Sequence, residues 1–219
     1  MRQLRAQSAI RAASLRKGFE DDIEIVRLAI TAVAQTRGVR VVSLLGHRPG
    51  AGTTTLAVWL ARSLARESRH TLLVDANHVN PRLHELLQVS AEPGLVDLLE
   101  GSAGANEAVR PTSDPNLSVL PYGSRLRPIT TSIEQCHTLL SGLAADQFVV
   151  TDAGSTDSPS ALTVGAASDG VALVVKCGEA SRQEIDSIRN RLTLSSTELL
   201  GVVVNQRRHF IPEMIYRRL

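Results

Sequence analysis

The sequence has little of what several specialised chemistries require. It holds two cysteines, Cys136 and Cys177, far apart and without CxxC or Cys/His spacing. That excludes a thiolate metal cluster and leaves both as small buried hydrophobes of a reducing compartment. Net charge is only +2 from 24 basic and 22 acidic residues, so no global field draws the chain to nucleic acid. No apolar run approaches the roughly 20 residues that span a bilayer, and no secretory apolar segment follows the start. The expectation is a soluble, cytoplasmic protein. His47, His70, His78, His84, His137 and His209 are scattered, none beside a nucleophile in a recognisable motif, so a Ser/His/Asp arrangement is not legible. His78 and His84 read as surface or satisfied histidines rather than metal ligands. There is no internal repeat.

What is present is a 43% hydrophobic composition with 15 glycines, enough for one sizeable α/β core. The organising stretch is residues 39–65, VRVVSLLGHRPGAGTTTLAVWLARSLA. Val39, Val41, Val42, Leu44 and Leu45 alternate little with polar residues, as a strand buried on both faces of a parallel sheet does. Gly46, Pro49, Gly50 and Gly52 then supply a sharp turn in which bare backbone N–H groups converge on an anion. Thr53, Thr54 and Thr55 open a helix whose N-terminal dipole faces the same point. This is a phosphate cradle in outline, an outline that a ligand-free strand-to-helix turn shares. A mechanistic P-loop ends in Gly-Lys-Ser/Thr, the lysine reaching the β and γ phosphates and the hydroxyl binding magnesium. Here Thr53 fills the lysine slot and Thr54 the magnesium slot. Losing one charge-assisted hydrogen bond weakens ground-state binding by roughly 1.5–3 kcal/mol, and it weakens transfer chemistry more, because that charge matters most as the transition state forms.

Upstream, residues 1–18 carry Arg2, Arg5, Arg11, Arg16 and Lys17 with no acid before Glu20. They read as a solvated basic arm, with an anionic membrane surface or an acidic partner as the alternative. From Glu20, EDDIEIVRLAITAVAQ puts Ile23, Val26, Ile30 and Val33 at helical spacing, ended by Gly38. This amphipathic helix packs on the sheet or on another copy. Further apolar strands are expected at 71–74, ending in Asp75, and at 117–120, 147–152, 171–176 and 200–205. Helices are expected at 83–87, within 92–101, at 129–144 and at 184–192, with 101–116 as a surface connection. The alternation gives a mostly parallel, doubly wound α/β sheet with helices on both faces. Ligands of such sheets gather at the carboxyl ends of strands, so Asp75 and Asp152, each closing a strand, converge on the cradle. Either alone reads as a cap or turn residue; the pair favours a nucleotide site.

The order of these motifs resembles the cytoplasmic domain of bacterial tyrosine kinases of the capsular and exopolysaccharide biosynthesis family, relatives of the partitioning and division-site ATPases. The resemblance covers residues 20–206, between a basic arm at 1–19 and a basic tail at 207–219. SLLGHRPGAGTTT is similar to the family's first Walker stretch. TLLVDANHVNPRLHELL is similar to its second, with Asp75 on the first acid while Asn77 and Val79 replace the next acid and the arginine. PGLVDLLEG and LSVLPYG follow in family order. FVVTDAG resembles the Walker B strand with Asp152 as its carboxylate, and LLGVVVNQ resembles the last core strand, which implies an adenine contact for Asn205. Glu24 and Arg27 match the first two positions of the Glu-x-x-Arg-x-x-Arg ring-assembly motif, with Ile30 in place of the last arginine. Arg48 lies where the partitioning ATPases carry an extra lysine; it is a phosphate contact in cis or across a dimer, or a solvated loop arginine. Active members end in a tyrosine cluster, whereas this chain ends RRHFIPEMIYRRL with only Tyr216.

The resemblance implies ATP or ADP with magnesium, held by Arg48, Gly50, Ala51, Gly52, Thr53, Thr54, Thr55 and Asn205. Thr54, Asp75 and Asp152 would take the metal, and the two aspartates would be the catalytic carboxylates of an active member. It also implies an inner-membrane co-polymerase or chain-length partner, self-association through Glu24 and Arg27, and a cytoplasmic position at the inner membrane through that partner. Lysine, second acid, arginine and tyrosines are missing together. The expected function is therefore a degenerate kinase-like P-loop protein, regulatory or scaffolding in polysaccharide polymerisation and export, with nucleotide binding weak or lost. The rival expectations are an active autokinase or ATPase using Arg48, and a partitioning-type positioning ATPase using the basic arm on DNA or membrane.

Overall fold

The apolar runs become the body of one seven-stranded sheet in a computed structural model that describes residues 19–67, 69–123, 125, 127–194 and 197–206. Residues 1–18 and 207–219, which carry the expected basic arm and tail, lie outside the described residues. The strands are β1 (Val41–Gly46), β2 (Thr71–Asp75), β3 (Arg110–Pro111), β4 (Leu117–Leu120), β5 (Phe148–Ser155), β6 (Gly170–Lys176) and β7 (Glu198–Asn205). Their order is β3-β4-β2-β5-β1-β6-β7, parallel throughout except for the short antiparallel β3 at one edge. The helices are α1 (Phe19–Arg37), α2 (Thr53–Arg66), α3 (Leu83–Leu87), α4 (Leu95–Leu99), α5 (Ala105–Ala108), α6 (Ile133–Leu143), α7 (Pro159–Ala166) and α8 (Arg182–Leu194).

β1 lies between β5 and β6 and is buried along its whole length, which is why it reads as an unbroken apolar run. Its side chains divide by strand parity between two cores. Val41 and Leu45 join Leu140, Val164 and Ile188 of α6, α7 and α8; Val42 and Leu44 join Ile23, Ile30, Leu60 and Leu64 of α1 and α2. The expected stripe of α1 is present, with Ala34 rather than Val33 fully buried beside Ile23 and Ile30.

Several expectations are corrected. The helix expected from residue 129 begins at Ile133, because Ser132 caps it: the Ser132 hydroxyl accepts from the Gln135 N–H at 3.1 Å and the Gln135 side chain accepts from the Ser132 N–H at 3.4 Å. The stretch 101–116 is not only a connection, since it holds α5 and β3. Helix α7 was not among the expected helices, although Ser158-Pro159, a cap followed by proline in the first turn, is a signal for it. Cys177 is exposed at the turn after β6, so only Cys136 is a buried hydrophobe. On β7 the register shifts between Leu199 and Gly201, leaving Leu200 as an extra bulged residue. Its side chain lies over Gly170, where a Cβ would stand 2.5 Å from it.

Two glycines report on packing with opposite sign. Gly94 caps α4 in extended conformation, and a Cβ there would meet Gly123 N at 2.3 Å and Pro121 O at 2.5 Å, both backbone. Gly142, exposed in α6, has nothing within 4 Å of a built Cβ. In urea unfolding, Gly94→Ala is expected to lose about 1–3 kcal/mol, whereas Gly142→Ala gains about 0.5–1 kcal/mol.

Candidate functional site

The turn from β1 to α2 takes its shape from backbone torsions that glycine adopts at no steric cost, φ +82° at Gly50 and +91° at Gly52. Two amides at the end of β7 hold it. Asn205 Nδ2 donates to the Ala51 carbonyl and Gln206 Nε2 to the Gly50 carbonyl, each at 2.8 Å. The fit is close enough that a Cβ on Gly52 would stand 2.3 Å from Asn205 Nδ2. With these carbonyls engaged, the opening turn of α2, whose first N–H groups have no helical partners, is the anion-facing end of the loop. Gln206 was not anticipated; it follows Asn205 directly and sits at φ +57°. Asn205, expected at adenine, bonds the loop backbone through its side-chain amide.

Beside the loop, parallel pairing sets Asp75 opposite Asp152 in register. Thr54 Oγ1 donates to Asp152 Oδ2 at 2.5 Å, and Asp152 Oδ1 accepts from the Gly154 N–H at 3.2 Å. Asp75 Oδ2 accepts from the N–H groups of Arg82 and Leu83 at 2.9 Å, and its Oδ1 from Asn77 N–H at 3.2 Å. Both carboxyls are buried. Burial, with Asp152 adding to it, pushes Asp75 up to about 8 against the pull of its three N–H donors. Burial pushes Asp152 up to about 6 despite its bonds from Thr54 and Gly154. A hydroxyl and two carboxylates are hard oxygen donors that suit Mg²⁺, which keeps several waters and shares its shell with phosphate oxygens. Among the described residues no group of three or more His, Cys, Asp or Glu forms a protein-only metal site.

Thr53 is buried and turned back, its hydroxyl so close to Gly46 that a Cβ on that glycine would stand 2.6 Å from it. It brings no charge to the cavity of about 250 Å³ that it lines together with Arg48, Gly50, Thr54 and Thr55. Arg48 is ion-paired with Glu184. The Ser181 N–H and hydroxyl also hold that carboxylate, at 2.8 and 2.9 Å, within the capping box of α8. These Ser181 bonds, with Arg48, hold Glu184 down at about 2. Across the end of β5, the cavity's other wall is Asn77, Val79, Asn80 and Arg82. Glu24 and Arg27 lie elsewhere: they pair at 2.8 Å, Ser63 donates to Glu24, and the group fastens α1 to α2. A second depression, about 310 Å³, opens at the amino ends of the strands around Arg40, Arg69, His70 and Asp146, where no expected site residue falls.

Comparison with known proteins bears on this arrangement. The family model described as Cellulose biosynthesis protein BcsQ matches residues 39–158. Tyrosine-protein kinase CpsD of Streptococcus agalactiae is 26% identical over 174 residues, 76% of this chain and 75% of its own. Succinoglycan biosynthesis transport protein ExoP of Rhizobium meliloti is 23% identical over 198 residues, 87% of this chain and 25% of ExoP. Among solved structures, the BceF tyrosine kinase domain matches with a TM-score of 0.75 at 27% identity, over 88% of this chain and 80% of that one. The septum site-determining protein MinD of Pyrococcus horikoshii, complexed with Mg-ADP, matches with a TM-score of 0.68 at 20% identity, over 82% and 76%, a likeness of fold.

The carboxyl pair sets a pH dependence. Its folded pKa values lie above the unfolded value of about 3.9, so the stability it confers is complete at low pH and is lost as pH rises through about 6 and then about 8. In EDTA the thermal midpoint is expected to fall between about pH 5 and pH 8.5, and millimolar Mg²⁺ to restore it at the upper end. Asp75→Asn should flatten the profile; a flat wild-type profile would show that the pair shares no proton.

Proposed function

Because the chain belongs to the cellulose biosynthesis protein BcsQ family, and with it to the family of bacterial tyrosine kinases, we propose that it is a nucleotide-binding P-loop protein of polysaccharide polymerisation and export that regulates or scaffolds instead of transferring phosphate. The observation that carries this is the contrast within one loop. Thr54 and Asp152 keep the oxygen pair for Mg²⁺, and the glycine torsions and β7 amides keep the cradle. The lysine slot holds a neutral hydroxyl folded against Gly46, and the arginine of the loop itself, Arg48, is engaged by Glu184. Ground-state binding of ADP or ATP survives such a loss at reduced affinity, whereas charge stabilisation of a transferring phosphoryl group does not.

The partner is an inner-membrane co-polymerase or chain-length protein, with this chain at the cytoplasmic face. ExoP, a transport protein, devotes only a quarter of its length to the matching region. No helix among the described residues is long and apolar enough to cross a membrane, and in this reading the partner supplies the membrane part. Self-association runs through α1, where Ile25 and Leu28 stand exposed beside the internally paired Glu24 and Arg27.

Thr53→Lys tests the contrast. It is expected to gain roughly 10- to 100-fold in magnesium-dependent ADP affinity and to acquire ATP hydrolysis, while the wild type hydrolyses no faster than Asp152→Asn. Tyrosine phosphorylation by the wild type that vanishes in Asp152→Asn overturns the proposal in favour of an active kinase.

A further inference from the structure

Arg82 lies within the segment similar to the family's second Walker stretch but has no assigned role there, and the fold puts it at the lip of the cavity. Its backbone N–H is donated to Asp75 Oδ2 at 2.9 Å, so the metal-site carboxylate itself fixes where the residue stands. It occupies the N-cap position of α3 with non-helical torsions (φ −141°), and it lines the same cavity as Thr53 and Thr54.

The charges around the cavity separate its two arginines. Arg48 is bonded to a carboxylate that α8's own cap already holds in place. The ion pair of Arg82 among the described residues is with Glu85, three residues on, at 4.0 Å and with both side chains about a third exposed. Such a loose surface pair holds a guanidinium weakly. Arg82's neighbours on the wall, Asn77 and Asn80, are neutral, and Asn77 Oδ1 is occupied by the Asn80 N–H at 3.3 Å. Glu85 aside, no ion pair among the described residues competes with a ligand for the arginine.

We propose that Arg82 supplies the phosphate-binding cation that position 53 lacks, reaching the β-phosphate end of a nucleoside di- or triphosphate from the β2 side of the cavity. In a lysine-bearing P-loop the cation rises from the loop; here it comes from the facing wall. A guanidinium suits that position, because its planar fork gives two parallel N–H bonds to phosphate oxygens from a longer reach. Charge sited there holds a phosphate chain in the ground state without tracking it through transfer, which fits a binding protein. This inference rests on the nucleotide-binding reading above.

The test is calorimetric titration of ADP, inorganic pyrophosphate and adenosine into the full chain in EDTA. Arg82→Gln keeps the backbone N–H that Asp75 accepts, and so keeps the fold. It is expected to weaken ADP and pyrophosphate by roughly 10- to 100-fold and to leave adenosine unchanged. Arg82→Lys should retain part of the affinity, Arg48→Ala, which removes the competing cation, should weaken ADP less than Arg82→Gln does, and adding Thr53→Lys to Arg82→Gln should restore binding. ADP affinity unchanged in Arg82→Gln overturns the proposal while leaving the nucleotide site standing, and a loss confined to Arg48→Ala gives the role to that residue. A wild type that binds neither ADP nor pyrophosphate overturns the nucleotide-binding reading itself, and Arg82's role with it.

Discussion

Parallel pairing of β2 with β5 sets two carboxyl groups side by side where water does not screen them, and much of the surrounding structure answers that strain. Two buried like charges side by side on neighbouring strands are tolerated only with a proton or a cation between them. Thr54 contributes a hydroxyl from the first turn of α2, and three backbone N–H groups gather on Asp75. One of those groups belongs to the residue that begins α3, so the carboxylate that faces Asp152 also sets the entry of the next helix. The site and the β2–α3 connection are one hydrogen-bonded unit.

The phosphate loop is stabilised from a distance. Its glycines permit the turn, but its carbonyls are held from β7, across β6 from the strand that leads into it. Positive charge is likewise displaced outward: none at position 53, one arginine drawn to α8, another on the facing wall. Holding a phosphate chain needs donors and a general positive field, whereas moving a phosphoryl group needs a cation poised on the developing charge. The arrangement meets the first requirement better than the second.

The strands were legible because a parallel strand covered on both faces must be apolar throughout, and Asp75 and Asp152 because each closes such a run. The cradle was legible as glycine spacing, and the first helix as a periodic stripe. Strand order was not, since pairing joins segments far apart in the chain. β3 and α5, of two and four residues, exist through pairing and capping and have no pattern of their own. Arg48 was visible as a charge near the loop, but its engagement by Glu184 spans 136 positions. Arg82 and Gln206 escaped notice for the same reason: each acts through a place in space that only the folded sheet defines.

The bulge at Leu200 has a consequence for the phase of β7. Before it, Leu199 faces the core of α6, α7 and α8; after it, Val203 faces the core of α1 and α2, paired with Val174. Strict alternation from Leu199 would have sent Val203, and with it Asn205, to the opposite face of the sheet. The single unpaired residue thus works as a half-period shift that aims the amide at Ala51, and Gly170 makes room for it by having no side chain. Deleting Leu200 would leave this phase intact, whereas drawing Leu200 into regular pairing with Ala172 would carry Asn205 to the other face of the sheet and away from the loop.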